Sequence, residues 1–173
     1  RQPRLERFLV DRAIDYPEAV LKHKHGFDFI VTDPQGTVGL LTTGAGLSMM
    51  LCDELRDRGL SPYNFCDIRT GGLRDDPQRL IDVLTWISDG INTKLILINV
   101  FGGITDLGVF ARLLIQAMDR LPRPRLPVIA RLIGPNQDEA SALLRASSLQ
   151  ISLHRDLSPA LDDTRTLVGR TLT

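Results

Sequence analysis

From Thr37 onward the chain alternates short apolar runs with amphipathic segments, and this rhythm is the strongest constraint on what it can fold into. Residues 37–43, 63–68, 94–100, 126–132 and 149–153 read as strands, and 47–58, 76–88, 106–120, 136–146 and 157–169 as helices. Strands alternating with helices of this length imply right-handed βαβ crossovers covering both faces of a parallel sheet. The expected class is α/β: a three-layer α/β/α, flavodoxin-like open sheet of order 2-1-3-4-5. Ahead of it, Phe27 to Val31 alternates like a half-buried strand, and Asp33-Pro-Gln-Gly36 is a turn tetrad with Pro at its second position. With the strand from Thr37 these predict a β-hairpin leading into the sheet. Residues 1–26 are charged and weakly amphipathic, a linker with one short helix, so the domain is expected to span 27–173.

Two strand-to-helix junctions carry glycine. Leu95-Ile-Leu-Ile-Asn-Val100 runs through Phe101-Gly-Gly-Ile-Thr105 into the segment from Asp106, and Val38 to Thr43 runs through Gly44-Ala45-Gly46 into the segment from Leu47. First-turn amides of a helix lack intrahelical partners and the helix dipole adds partial positive charge, so such a junction suits a phosphate or carboxylate. In an open sheet ligands gather outside the carboxyl ends of the strands, where the strand order reverses. The order 2-1-3-4-5 sets the strand ending at Thr43 beside the strand ending at Phe101, which makes one shared anion site.

Composition narrows the classes. Lys plus Arg and Asp plus Glu number 21 each, so no overall basic field draws nucleic acid or an anionic membrane. No apolar run resembles a transmembrane span and no signal peptide is legible; the expected location is the cytoplasm, or the mitochondrial matrix for a eukaryotic source. Arg1 rather than Met stands first, as in a piece of a longer chain. Cys52 and Cys66 lack metal or redox spacing and read as reduced core thiols, and no metal site is expected.

Four blocks then carry a family resemblance: Gly44-Ala-Gly-Leu-Ser-Met49, Ser61-Pro-Tyr-Asn-Phe-Cys-Asp67, Lys94 through Ile104, and Pro127-Val-Ile-Ala-Arg-Leu-Ile-Gly-Pro-Asn136 with Glu139-Ala140. In order and spacing they resemble the carboxy-terminal CoA-ligase domain of the beta subunit of succinyl-CoA synthetase. The resemblance implies a reaction in which ATP or GTP phosphorylates a histidine of an alpha subunit, the phosphoryl group passes to a carboxylic acid, and CoA displaces it. It implies a helix amino terminus aimed at the phosphohistidine, here following Gly102, Gly103 and Ile104, and a substrate carboxylate contacted by Gly103, Ile104 and Thr105. Thr43, Gly44 and Gly46 are expected to form the other half of the site, and no catalytic side chain is expected in this chain. The expected partners are an alpha-type subunit, an ATP-grasp domain of the same full-length chain and a small carboxylic acid. ATP or GTP, magnesium and CoA are expected in the complete enzyme, none of them bound by this domain, and the domain alone is expected to be inactive.

Departures from the family pattern point to a divergent member. Thr43 stands where the family has a substrate-contacting Asn, Asp106 where it has Arg or Asn, Ile133 where it has Glu, and Asp67-Ile-Arg-Thr-Gly71 replaces Asp-Val-Gly-Gly-Gly. Arg69 is a candidate replacement cation for phosphate or carboxylate. Asp106 favours its own helix but repels an anion unless it points away. The alternative function is a noncatalytic flavodoxin-like interaction module. Flavin or nucleotide binding finds little support, since Trp86, Tyr16 and Tyr63 all lie outside the glycine turns. Thr105 doubles as an N-cap, Arg131 reads as paired with a surface acid, and His23, His25 and His154 read as surface histidines without an acid partner.

Overall fold

The computed structural model describes residues 7, 22, 26–69, 76–103 and 105–170. The expected linker helix, Tyr16, His23, His25, Gly71 and Ile104 fall outside them. Eleven elements follow one another: β1 (Asp28–Val31), β2 (Val38–Thr42), α1 (Ala45–Asp57), β3 (Asn64–Asp67), α2 (Gln78–Ser88), β4 (Leu95–Phe101), α3 (Leu107–Arg120), β5 (Val128–Ile133), α4 (Gln137–Ala146), β6 (Ile151–His154) and α5 (Leu157–Arg170). The alternation read from periodicity holds, with ends moved by two residues at most.

Strands β2, β4, β5 and β6 form a parallel sheet in that order. Its centre is β4, buried from Leu95 to Val100, as a continuous apolar run should be when helices cover both faces. One face packs Leu80, Leu84 and Ile87 of α2, Phe110, Leu114 and Met118 of α3, and Ala140 and Leu144 of α4 against Leu41, Ile96, Ile98 and Ala130. The other packs Leu51 and Leu55 of α1 and Leu161 and Val168 of α5 against Leu40, Leu97 and Ile129. In α3, residues 107, 110, 111, 114, 117 and 118 recur at helical spacing and all are buried. Each large apolar side chain fully buried this way contributes about 1.5–3 kcal/mol.

The hairpin does not form. The Asp33–Gly36 turn closes, with Gly36 N donating to Asp33 O at 2.9 Å, but β1 pairs antiparallel with β3, Phe29 opposite Cys66. The edge of β2 that a hairpin would need is already taken. Val38 bridges to Pro62, and the buried Asn64 carboxamide accepts from Leu40 N at 2.9 Å and donates to Leu40 O at 2.8 Å. One side chain with a donor and an acceptor thus replaces a ladder link. Counting β3 beside β2 restores the order 2-1-3-4-5 that periodicity suggested.

Both cysteines are free thiols in the core. Burial pushes the Cys66 thiol up to about 12, and its carbonyl accepts from the hydroxyls of Thr42 and Ser48. Among the described residues no helix is long and apolar enough to cross a membrane.

Candidate functional site

The chain leaves β2 toward β3 over one face of the sheet and leaves β4 toward β5 over the other, so the carboxyl ends of β2 and β4 lie side by side where strand order reverses. Thr43 ties them together. Its hydroxyl accepts from Phe101 N at 2.8 Å and donates to Phe101 O at 3.3 Å, continuing the β2–β4 pairing one residue past the ladder. Thr43 is buried, so this hydroxyl is committed to the main chain of the neighbouring strand.

Beyond Thr43 the first junction opens. Gly44 holds φ at +83°, a left-handed conformation in which a side chain is strained, and its N–H donates to Asp67 Oδ1 at 2.9 Å. Helix α1 then starts with no side-chain cap. Gly44, Ala45 and Gly46 are exposed, and a Cβ built on Gly46 would meet nothing within 4 Å. Among the described residues, no side chain caps the first-turn amides of Ala45, Gly46 and Leu47.

The second junction is built differently. Gly102 is buried, its N–H bonded to Ile133 O at 2.9 Å, and a Cβ there would stand 2.9 Å from the Thr105 carbonyl oxygen. Gly103 is exposed with open space around it. Asp106 then caps α3: Oδ1 accepts from Gly108 N at 2.8 Å and Val109 N at 3.1 Å, while Oδ2 accepts from Asn136 Nδ2 at 2.7 Å. Leu107 N donates to Pro135 O at 3.0 Å. The Val109 amide first, then the Asn136 amide, hold the Asp106 carboxyl below its ordinary 3.8. All three opening amides of α3 are thus spoken for, and the loop at Gly103 is the part of this junction left open.

The other sequence candidates separate. Arg69, at φ +48°, turns toward β1 and pairs with Asp28 at 3.3 Å. Among the described residues Arg131 pairs with no surface acid. Its Nε donates to Arg155 O at 3.0 Å, its Nη1 to Asn99 Oδ1 at 3.2 Å, and its guanidinium carbon lies 4.8 Å from the centre of the Phe101 ring. His154 does have an acid partner, Asp163 Oδ2 at 3.0 Å from its Nε2. Sequence reasoning passed over Asp67, Asn136 and Asn99. For Asn99 a signal existed: it is the lone polar residue in the apolar run 95–100. A cavity of about 350 Å³ lined by Met118, Arg123, Arg125, Leu126 and Leu149 lies at the opposite, amino edge of the sheet and takes no part in this site.

Residues 41–163 match the family model described as CoA-ligase. The succinate–CoA ligase (ADP-forming) subunit beta of Chloroflexus aurantiacus is 36% identical over 134 residues, 77% of this chain and 34% of that protein. The Bacteroides thetaiotaomicron counterpart is 37% identical over 131 residues, 76% of this chain and 33% of the relative. The Francisella tularensis counterpart is 30% identical over 162 residues, covering 94% and 40%. Among solved structures, ATP citrate lyase from Methanosaeta concilii superposes with a TM-score of 0.63 at 17% identity, covering 79% of this chain and 39% of that one. The chain spans 33–40% of the length of these relatives.

Proposed function

This chain belongs to the CoA-ligase family, and from that premise we propose that it is the carboxy-terminal domain of the beta-type subunit of a nucleotide-dependent carboxylate–CoA ligase. The observation that carries the reading is the pair of glycine junctions at the ends of two hydrogen-bonded parallel strands, tied by Thr43 to Phe101. An acyl phosphate forming at that edge spreads negative charge over several oxygens. Fixed main-chain donors stabilise such charge without reorganising. The donors available are the α1 amides of Ala45, Gly46 and Leu47 and the loop at Gly103; Ile104 and Thr105 complete the loop in the family reading.

An alpha-type partner supplies the phosphorylated histidine in this proposal, and it holds CoA. ATP or GTP and magnesium belong to an ATP-grasp domain of the full-length subunit. The role left to this chain is to orient the acid and neutralise the phosphoryl group in transit, with no proton taken by a side chain of its own. By itself it turns nothing over.

A second reading has one observation in its favour. Asp106 and Pro135 occupy the opening amides of α3, as they would in a noncatalytic interaction module derived from the same family. One experiment separates the two. The full-length subunit, mixed with its alpha-type partner, ATP, CoA and a panel of mono- and dicarboxylic acids, should release ADP and form a thioester with at least one acid. Silence with every acid and with GTP in place of ATP would leave the interaction module standing.

A further inference from the structure

Four polar residues cross the carboxyl edge of the sheet in register: Thr42 opposite Asn99, Asn99 opposite Arg131, Arg131 opposite His154. Two residues earlier in three of those strands stand Leu40, Leu97 and Ile129, which pack against α1 and α5, so the polar row lies on that same face. The uncapped end of α1 belongs to this face as well, whereas the capped α3 covers the other.

Two members of the row, and one atom of a third, are satisfied by protein. Thr42 bonds Ser48 and the Cys66 carbonyl, His154 has Asp163, and Asn99 Oδ1 accepts from Arg131. Two groups are not. The Asn99 Nδ2 donor is buried without a partner, in a residue only 1% exposed. Arg131 is a half-buried cation whose contacts are a carbonyl, a carboxamide and an aromatic ring, with no ion pair to any carboxylate among the described residues. Elsewhere on the surface arginines find acids: Arg112 has Glu139, Arg125 has Asp119, Arg155 has Asp138.

A guanidinium held in one pose by neutral contacts keeps its charge and three of its five N–H donors available. The pose is fixed over Phe101, the residue that leads straight into Gly102 and Gly103 and that Thr43 fastens to β2. We propose that Arg131 is a specificity-determining residue that binds the second anionic group of a small two-headed acid whose first carboxylate meets the glycine-junction amides. The inference rests on the reading above that this edge receives a carboxylate. It adds the discrimination between a dianion and a monoanion of equal length, which neutral amides alone supply only weakly.

The test uses this chain, with succinate, butyrate and inorganic phosphate as probes and amide and arginine side-chain NMR signals as the readout. Succinate should shift Gly46, Gly103 and the Arg131 Nε–H over one concentration range, and bind more tightly than butyrate. Arg131→Met keeps an apolar stem on Phe101. It should weaken succinate roughly ten- to a hundredfold, as loss of a charge-assisted pair does, and leave butyrate unchanged. Arg131→Lys should fall between, retaining charge without the planar fork. Thermal melting of each variant separates lost binding from lost folding. If Arg131→Met bound succinate and butyrate with the wild-type ratio while the glycine amides still responded, the Arg131 inference would fall and the proposed function would stand. Phosphate or succinate shifting Arg131 while Gly46 and Gly103 stay silent would support Arg131 as an anion residue and overturn the glycine-junction reading.

Discussion

The two glycine junctions share one sequence grammar, strand then glycine then helix, and arrive at opposite electrostatic results. At Gly44 the helix begins without a side-chain cap, and the nearby carboxylate of Asp67 takes the amide ahead of the helix. At Gly102 the helix begins with its own anion, Asp106, locked by Asn136 from the next loop. The lesson is that a glycine turn sets how closely a ligand can approach, while the residue at the N-cap decides whether the helix end still has charge to offer. Of the two helix ends, the one after β2 is the one without a side-chain cap.

The sharpest way to break the comparison is to cut the link between its halves. Thr43→Val keeps the shape but strands Phe101 N–H and C=O at a partly buried site, and should cost about 1–3 kcal/mol in denaturant unfolding. A change below a few tenths would mean that the two strand ends hold together without it. Next, Asp106→Ala should uncap α3, and inorganic phosphate, which should shift the Ala45–Leu47 amides in the wild type, should then also shift Gly108 and Val109, with affinity raised roughly two- to fivefold by the freed helix end.

The pH dependence of that variant has a definite sign. Because the folded-state pKa of Asp106 is depressed, its stabilising effect is complete above the ordinary 3.8 and disappears as pH falls through the lower folded-state value. Wild type and Asp106→Ala should therefore differ in melting temperature at neutral pH and converge in strong acid. The smallest effect belongs to Gly46→Ala. With no positive φ and open space for the methyl, it should be neutral or stabilising by up to about 0.5–1 kcal/mol. Loss of stability there would show that the first junction is tighter than its geometry indicates.

Periodicity made the layers legible because each helix and strand is amphipathic or continuously apolar on a local scale, as 107–118 and 95–100 show. The hairpin was misread for a related reason: the Asp33–Gly36 turn is local and does form, but the partner of β1 is chosen by competition for the edge of β2, which Asn64 wins from a distance of 24 residues. At the site, the glycines were readable from residue type, whereas the cap expected at Thr105 falls one residue later, on Asp106, whose carboxylate reaches the Gly108 and Val109 amides. The Asn136 lock, 30 residues away, and the His154–Asp163 contact, nine apart across a strand and a helix, depend on tertiary approach that spacing does not encode. Arg131 was assigned an acid partner by charge reasoning; the fold gives it an aromatic ring and two neutral oxygens instead.

The burial of Cys66 has a practical corollary. With its thiol pushed up to about 12 and buried on the core side of β3, almost none of it is thiolate at neutral pH, and thiolate is the species that alkylating agents and disulfides consume. Such reagents must wait for the sheet to come apart, so their rate of uptake counts how often the domain opens and makes this side chain a clock for spontaneous unfolding.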